Sequence, residues 1–195
     1  MTFFEVSDLH SYHGASHILF GISLKIEEGT LVCLLGRNGA GKSTTLQSIM
    51  GLVAPKKGSI IFKDQEIKTT PPHEKVRLGI GYVPEEREIF PSLTVQENLE
   101  MGTRVLQKKS KVRYQWEIKD IWEIFPSLKD LKNQKGGYLS GGEQQMLTIA
   151  RTLMTCPDFL LLDEPCEGLA PVVVKSLGRM IVEICNSGCT ILMAE

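Results

Sequence analysis

Eight consecutive residues have the composition of a phosphate-binding loop. They match the pattern G-x-x-x-x-G-K-[ST] and are Gly36, Arg37, Asn38, Gly39, Ala40, Gly41, Lys42 and Ser43. Glycines let backbone N–H groups wrap around phosphates, since a Cβ atom would block that approach. We expect Lys42 near the β- and γ-phosphates of a nucleoside triphosphate, the Ser43 hydroxyl on Mg²⁺, and Thr44 in the same site. The alternative is a plain glycine-rich turn between a strand and a helix.

Two acidic residues, Asp163 and Glu164, follow the apolar run 159–162. In open α/β sheets, ligands bind outside the carboxyl ends of the strands. If this strand neighbours the one that precedes the loop, Asp163 faces Ser43 and is expected to hold Mg²⁺ through water. We expect Glu164 to orient and deprotonate an attacking water, with Lys42 offsetting charge on the γ-phosphoryl group. The alternative is an ordinary helix-capping acid before Pro165.

A second segment of phosphate-binding type precedes the predicted helix 144–155. It consists of Ser140, Gly141, Gly142, Glu143 and Gln144. A hydroxyl, bare backbone N–H groups and a helix N-terminus together suit an anion. One nucleotide does not need two such sites in one chain, so this segment is predicted to bind the γ-phosphate held by a second chain. A plain capped helix would explain Ser140 but not the two glycines after it.

The remaining pattern supplies elements to position these residues. Strands are predicted at 3–9, 18–26, 31–35, 59–62, 80–83, 159–162 and 190–194, and helices at 42–51, 94–101, 114–125, 144–155 and 172–185. The continuous apolar runs at 31–35 and 159–162 indicate strands buried on both faces. Strands alternating with helices predict an α/β fold with a mostly parallel sheet, interrupted by a helical insertion at about 85–138.

Composition narrows the function classes. The 195 residues are 42% hydrophobic and 23% charged, with a net charge of −1, which favours neither nucleic acid nor an acidic membrane. No apolar run is long enough to span a bilayer, and no signal peptide is evident, so a cytosolic location is expected. The basic stretch 108–113 is interpreted as a solvated face or turn rather than a nucleic-acid patch. The five cysteines are expected to be reduced and mostly buried.

Three motifs in this order, at 36–43, 139–145 and 160–164, resemble the Walker A, signature and Walker B motifs of ATP-binding cassette (ABC) nucleotide-binding domains. The resemblance covers the whole chain. The segments 81–85, 89–95, 139–146 and 167–171 are more narrowly similar to the ATP-binding subunits of branched-chain amino acid importers. Importers of urea or short amides share much of this pattern, so the transported molecule stays open.

The resemblance implies a P-loop NTPase fold of the ABC type, with N-terminal antiparallel strands beside the parallel core. It implies one domain over 1–195, with its C-terminal end truncated before the switch residue that would follow Glu195. An aromatic ring that stacks on adenine would be Tyr12 or His13. Glu85 stands where most of the family has the Q-loop glutamine, and its carboxylate is a third candidate Mg²⁺ ligand. Ala170 stands at the D-loop aspartate position.

The resemblance also implies partners. Two ATP-binding subunits, identical or different, would meet head to tail with ATP between the loop of one and the signature of the other. The pair would lie at the cytoplasmic face of the membrane on separate permease subunits, served indirectly by a periplasmic or extracellular substrate-binding protein. No nucleic acid is expected. A soluble ABC ATPase and a nucleotide-binding module without turnover are the alternatives.

Overall fold

The computed structural model describes residues 2–106 and 115–195, and in them the chain forms two four-stranded sheets. The basic stretch 108–113 and Tyr114, the predicted start of a helix, lie outside the described residues. The strands are β1 Phe4–His13, β2 Ser16–Ile26, β3 Leu31–Leu34, β4 Lys57–Phe62, β5 Gln65–Glu66, β6 Ile80–Val83, β7 Phe159–Asp163 and β8 Thr190–Ala194. The helices are α1 Lys42–Met50, α2 Pro72–Leu78, α3 Val95–Leu106, α4 Ile118–Ile124, α5 Pro126–Asp130, α6 Gly141–Leu153 and α7 Pro171–Asn186.

The two sheets differ in direction. The first is antiparallel, in the order β2-β1-β4-β5, and the second is parallel, in the order β3-β8-β7-β6. The predicted α/β fold with N-terminal antiparallel strands beside a parallel core is therefore confirmed. We expected Asp163 to face Ser43 if β7 is the neighbour of β3. The two strands are not neighbours, because β8 lies between them and pairs with both. All four strands of the parallel sheet still end at one edge, which brings the loop after β3 and the acids at the end of β7 to the same side.

Burial on both faces was expected for two strands and holds for one. Every residue of β7 is buried, with Leu160 and Leu162 in one hydrophobic core and Phe159 and Leu161 in the other. By contrast, β3 is an edge strand whose outer residues are exposed. Among them is Cys33; with Cys166 and Cys185 only half-buried, the expectation of mostly buried cysteines is wrong. Burial of each leucine of β7 contributes about 2 kcal/mol to folding, which anchors this strand between the two cores.

Three of the helices agree closely with the sequence pattern, and two others differ from it at one end. α1, α6 and α7 form within three residues of their predicted bounds, whereas α3 runs on to Leu106 and α4 begins only at Ile118. The pattern did not indicate α2 or α5, although each begins at a proline, which suits the first turn of a helix. The proposed division into one domain with a helical insertion stays a prediction. No helix in 2–106 or 115–195 is long and apolar enough to cross a membrane.

Candidate active site

The loop between β3 and α1 leaves the N-terminus of α1 open. Gly39 and Gly41 have φ angles of 81° and 90°, the left-handed region that favours glycine. Gly41 occupies the N-cap position, no side chain caps the helix, and its first turn contains no acid. A cavity of about 210 Å³ opens here, lined by Ile18, Gly39, Gly41, Lys42, Ser43, Thr44 and Glu164. Uncapped N–H groups and the positive end of the helix dipole make this cavity suited to an anion.

The Lys42 side chain is buried and held at three points. Its Nζ atom donates to the carbonyl oxygens of Gly36, at 3.0 Å, and Arg37, at 3.4 Å. It also forms an ion pair with the Glu164 Oε1 atom at 3.0 Å. The other predicted loop residues, Asn38 and Ala40, are exposed. The structure thus brings Lys42 and Glu164 together directly, with the ammonium already in the mouth of the cavity.

Asp163 is a buried carboxylate with one oxygen unpaired. The Tyr82 hydroxyl donates to its Oδ2 atom at 3.0 Å, and the Ser43 hydroxyl is also hydrogen bonded to the carboxylate. Burial raises the pKa of Asp163, and these two hydrogen bonds oppose that rise. The Oδ1 atom is buried and has no hydrogen-bond partner among the described residues. An orphaned carboxylate oxygen beside a serine hydroxyl is a donor set that fits Mg²⁺.

Glu164 adopts a backbone conformation that is unusual for its type, with φ of 42°. Its N–H donates to the Ala194 carbonyl at 3.0 Å. The hydrogen bond from Lys42 is the main cause that lowers the pKa of Glu164, and a hydrogen bond with Glu167 adds to it. Glu167 in turn contacts the exposed Glu85, and its own pKa is raised by these carboxylates, Glu164 first. Glu164 is therefore ionised and engaged with Lys42.

The two candidates for the adenine-stacking ring have different surroundings. Tyr12 stacks on His17, with ring centroids 4.2 Å apart and planes inclined by 5°. The Lys56 ammonium lies 4.6 Å from the centroid of the same ring. His13 is exposed instead, and its Nε2 atom lies 3.3 Å from the Thr44 Oγ1 atom at the start of α1. The structure places His13 beside the loop and Tyr12 in a stack of its own.

The N-terminus of α6 is capped by its own residues. Ser140 is the N-cap, and the Glu143 carboxylate accepts from both its N–H and its hydroxyl at 2.7 Å. The helix begins at Gly141, three residues before its predicted start. Gln144 donates to the Leu139 carbonyl at 3.2 Å, which ties the helix to the preceding turn. Among the described residues that line the cavity at α1, none belongs to α6.

One of the two glycines after Ser140 has a packing reason within this chain. A Cβ atom at Gly142 would lie 2.8 Å from the Cγ1 atom of the branched Val173 side chain. A Cβ atom at Gly141 would lie 2.7 Å from the Arg87 Nη1 atom, at the movable end of a long side chain. A capped helix thus accounts for Gly142 through its packing, and the role predicted for the segment in binding an anion stays a prediction.

Sequence reasoning missed three residues at this site. Tyr82 reaches Asp163 because β6 pairs with β7, and strand order is not visible in the sequence. Glu167 and Arg87 meet at the turn after β7, where Arg87 Nη2 donates to the Glu167 carbonyl at 3.0 Å. Glu167 lies in a segment already noted for its resemblance and Arg87 does not, and nothing in their spacing indicated a contact. The roles predicted for the site residues remain predictions.

The chain matches a family model described as ABC transporter over residues 19–167. It is 40% identical over 185 residues to the high-affinity branched-chain amino acid transport ATP-binding protein BraG of Pseudomonas aeruginosa, covering 95% of this chain and 78% of that protein. It is 34% identical over 195 residues to the lipopolysaccharide export system ATP-binding protein LptB of Escherichia coli, covering 100% of this chain and 80% of that protein. A crystal structure of a nucleotide-free ATP-binding cassette from an ABC transporter superposes with a TM-score of 0.83 at 28% identity, covering 100% of this chain and 81% of that one.

Proposed function

The chain belongs to the ABC transporter family as an ATPase subunit, and on that premise we propose that it powers the import of branched-chain amino acids across a cell membrane. The higher identity to BraG than to LptB, 40% against 34%, supports this cargo. The similarity to LptB gives lipopolysaccharide export as the second candidate. Urea or a short amide is a third, on the resemblance of the motifs.

The ion pair between Lys42 and Glu164 beside the open end of α1 supports the ATP-hydrolysis part of the proposal. A triphosphate in this cavity would meet the N–H groups of the loop, the helix N-terminus and the Lys42 ammonium. Ser43 and Asp163 would hold Mg²⁺, directly or through water, and Glu85 is a third candidate ligand. When bound, the metal would withdraw charge from the transferring phosphoryl group. His13, rather than Tyr12, would stack on adenine, because it lies beside Thr44.

The same ion pair gives Glu164 two successive roles. Phosphate oxygens compete with its carboxylate for Lys42, so nucleotide binding would release Glu164 from the ammonium. The released carboxylate then orients water and accepts its proton. Little covalent chemistry is needed in phosphoryl transfer, so the main contribution of this carboxylate is to hold water in line with the leaving ADP oxygen.

A second subunit would complete the site. Ser140 and the backbone N–H groups of Gly141 and Gly142 would bind the γ-phosphate held by the partner, and hydrolysis would remove that contact and open the pair. The segment 85–95 would pass this movement to a permease. It adjoins a cavity of about 360 Å³ whose lining includes Leu52, Glu86, Glu88 and Arg151, which we propose as the docking surface at the cytoplasmic face.

Transport in proteoliposomes tests the cargo. The protein is reconstituted with the permease subunits encoded beside its gene, with ATP and Mg²⁺ on the side of the ATPase and the matching binding protein on the other. We expect ATP-dependent uptake of radiolabelled leucine, and none with Lys42→Ala. Uptake of urea or release of lipopolysaccharide instead would contradict the cargo while leaving the ATPase assignment intact. Co-purification with ribosomes or DNA in place of membrane proteins would exclude a transport role.

A further inference from the structure

Arg87 joins two segments that the proposed mechanism treats separately. Its guanidinium lies between the turn after β7 and the first residue of α6. The Nη2 atom donates to the Glu167 carbonyl at 3.0 Å. The Nη1 atom lies 2.7 Å from the position that a Cβ atom would take at Gly141. The side chain thus fills the gap between the Glu164 turn, residues 164–168, and the Ser140 end of α6.

Stability of α6 does not explain this position. A cation beside a helix N-terminus faces the positive end of the helix dipole, which is the unfavourable arrangement. The helix already has a serine cap and a carboxylate in its first turn. Among the described residues, Arg87 has no carboxylate partner within ion-pair distance that would hold it there. We therefore assign the contact to the Glu164 turn, which lies on the other side of the guanidinium.

The Glu164 turn has an unusual backbone conformation that bonds from several segments hold in place. Glu164 itself has a φ of 42°, a conformation that costs about 1–3 kcal/mol and persists only where the surroundings enforce it. Backbone bonds run from the Glu164 N–H to Ala194 and from the Glu167 N–H to the Glu164 carbonyl, at 3.0 and 3.1 Å. Side chains restrain the turn as well: the Cys166 N–H donates to the Glu195 Oε1 atom at 3.2 Å, and Lys42 is ion-paired with Glu164. The bond from Arg87 to the Glu167 carbonyl is the restraint that links the turn to the start of α6.

We propose that Arg87 is a positioning residue that fixes the Glu164 turn relative to the start of α6. This inference rests on the proposed function, since it assigns Arg87 to the placement of Glu164 for water activation. A small displacement of a reacting group has a large effect on rate, because catalysis here depends on alignment. Arg87 touches no nucleotide in this account; it acts through Glu164 and through Gly141.

Steady-state ATP hydrolysis by the full chain tests the first contact. We expect Arg87→Ala to lower kcat about tenfold or more, while the KM for ATP changes by less than about twofold, since the loop is untouched. Arg87→Lys, which keeps one donor, should recover part of kcat. Hydrogen exchange of the amides at 164–169 should rise in Arg87→Ala. Arg77→Ala, an exposed arginine on α2, is the matched control and should leave all of these unchanged.

A double-mutant cycle with Gly141→Ala tests the second contact. In the wild-type background, the added Cβ atom meets Arg87 and should lower kcat; in the Arg87→Ala background, the same substitution should cost much less. An equal loss in both backgrounds would show that Gly141 is needed by something else and would overturn the link. Wild-type kcat in Arg87→Ala, or a loss accompanied by a lower melting temperature without recovery by lysine, would also overturn it. Normal ATP turnover without leucine uptake would count against the proposed cargo and leave Arg87 unaffected.

Discussion

The helices α1 and α6 both begin at glycine-containing segments of phosphate-binding type, yet their N-termini are satisfied in opposite ways. α1 begins after a left-handed glycine, with no side-chain cap and no acid in its first turn. α6 begins after a serine that is locked to Glu143 in a capping box. The carboxylates near α1 come from the end of β7: Glu164 is paired with Lys42, and Asp163 lies beside Ser43.

The C-termini of the two helices differ in where the nearby basic group comes from. α6 carries a basic residue, Arg151, in its own last turn, whereas α1 has none. α1 instead receives the Lys75 ammonium from α2, which donates to the Ile49 carbonyl at 2.7 Å. The N-terminus of α6 is therefore capped by the helix's own residues, whereas the N-terminus of α1 is open and its C-terminus is capped by a lysine of α2. An anion should thus bind α1 first, and bind α6 only by displacing a carboxylate.

Neutralising the carboxylate at α1 should have the largest effect. Glu164→Gln removes the base and should lower kcat by about 10³-fold, within the range for a positioned acid or base. ATP affinity should be kept or should rise, because Lys42 loses a competing partner. Phosphate release and nucleotide fluorescence measure the two quantities, and light scattering should detect a trapped dimer. Glu183→Gln, exposed on α7, is the control. Rapid hydrolysis by Glu164→Gln would remove Glu164 from this role.

Removing the cation at α1 should have the next largest effect. Lys42→Ala deletes a charge-assisted contact to the phosphates and should weaken ATP binding by about 10²-fold, the equivalent of a hydrogen bond to a charged group. Calorimetric titration with a nonhydrolysable ATP analogue and Mg²⁺ measures this. Lys129→Ala, an exposed lysine on α5, should bind as the wild type does. Unchanged affinity in Lys42→Ala would place the triphosphate outside the α1 cavity.

Neutralising the carboxylate at α6 should have a smaller effect of opposite sign. Glu143→Gln keeps the capping box, because glutamine also accepts from the N-cap N–H. The charge that competes with a partner's phosphate is lost, so kcat should rise about two- to fivefold, as a charge at a helix N-terminus is worth about 0.3–1 kcal/mol. The rise should grow with protein concentration as dimers form. A fall in kcat would mean that Glu143 assists the phosphate contact, and the contrast between α1 and α6 would fail.

The sequence predicted the site where its signals are local. The loop pattern, the acids after an apolar run and the serine at a helix start each depend on neighbours along the chain. The structure brings Lys42, Ser43 and Glu164 to one cavity, and Asp163 lies next to Glu164 at the end of β7. What it could not predict depends on strand order. The exposure of β3 and the hydrogen bond of Tyr82 to Asp163 follow from the position of β8 and from the pairing of β6 with β7. Arg87 was missed for the same reason, because three separate segments meet around it.

The cation at the C-terminus of α1 should affect stability rather than turnover, as a dependence of the free energy of unfolding on pH. Lys75 is fully buried, and burial lowers its pKa from 10.5 to about 8, against the attraction of Glu66. The unfolded chain therefore takes up this proton below about 10.5 and the folded chain only below about 8. Protonation in that interval favours unfolding, so the free energy of unfolding should rise by up to about 3 kcal/mol as the pH is raised from 8 to 10.5. Urea unfolding of wild type and Lys75→Met across this range measures the difference. In Lys75→Met the unpaired Ile49 carbonyl lowers the stability by the same amount at every pH, so it does not affect the slope of the free energy of unfolding against pH. An equal slope in the two proteins would contradict the prediction. It would show that Lys75 stays protonated throughout and that α1 keeps a full charge at its C-terminus.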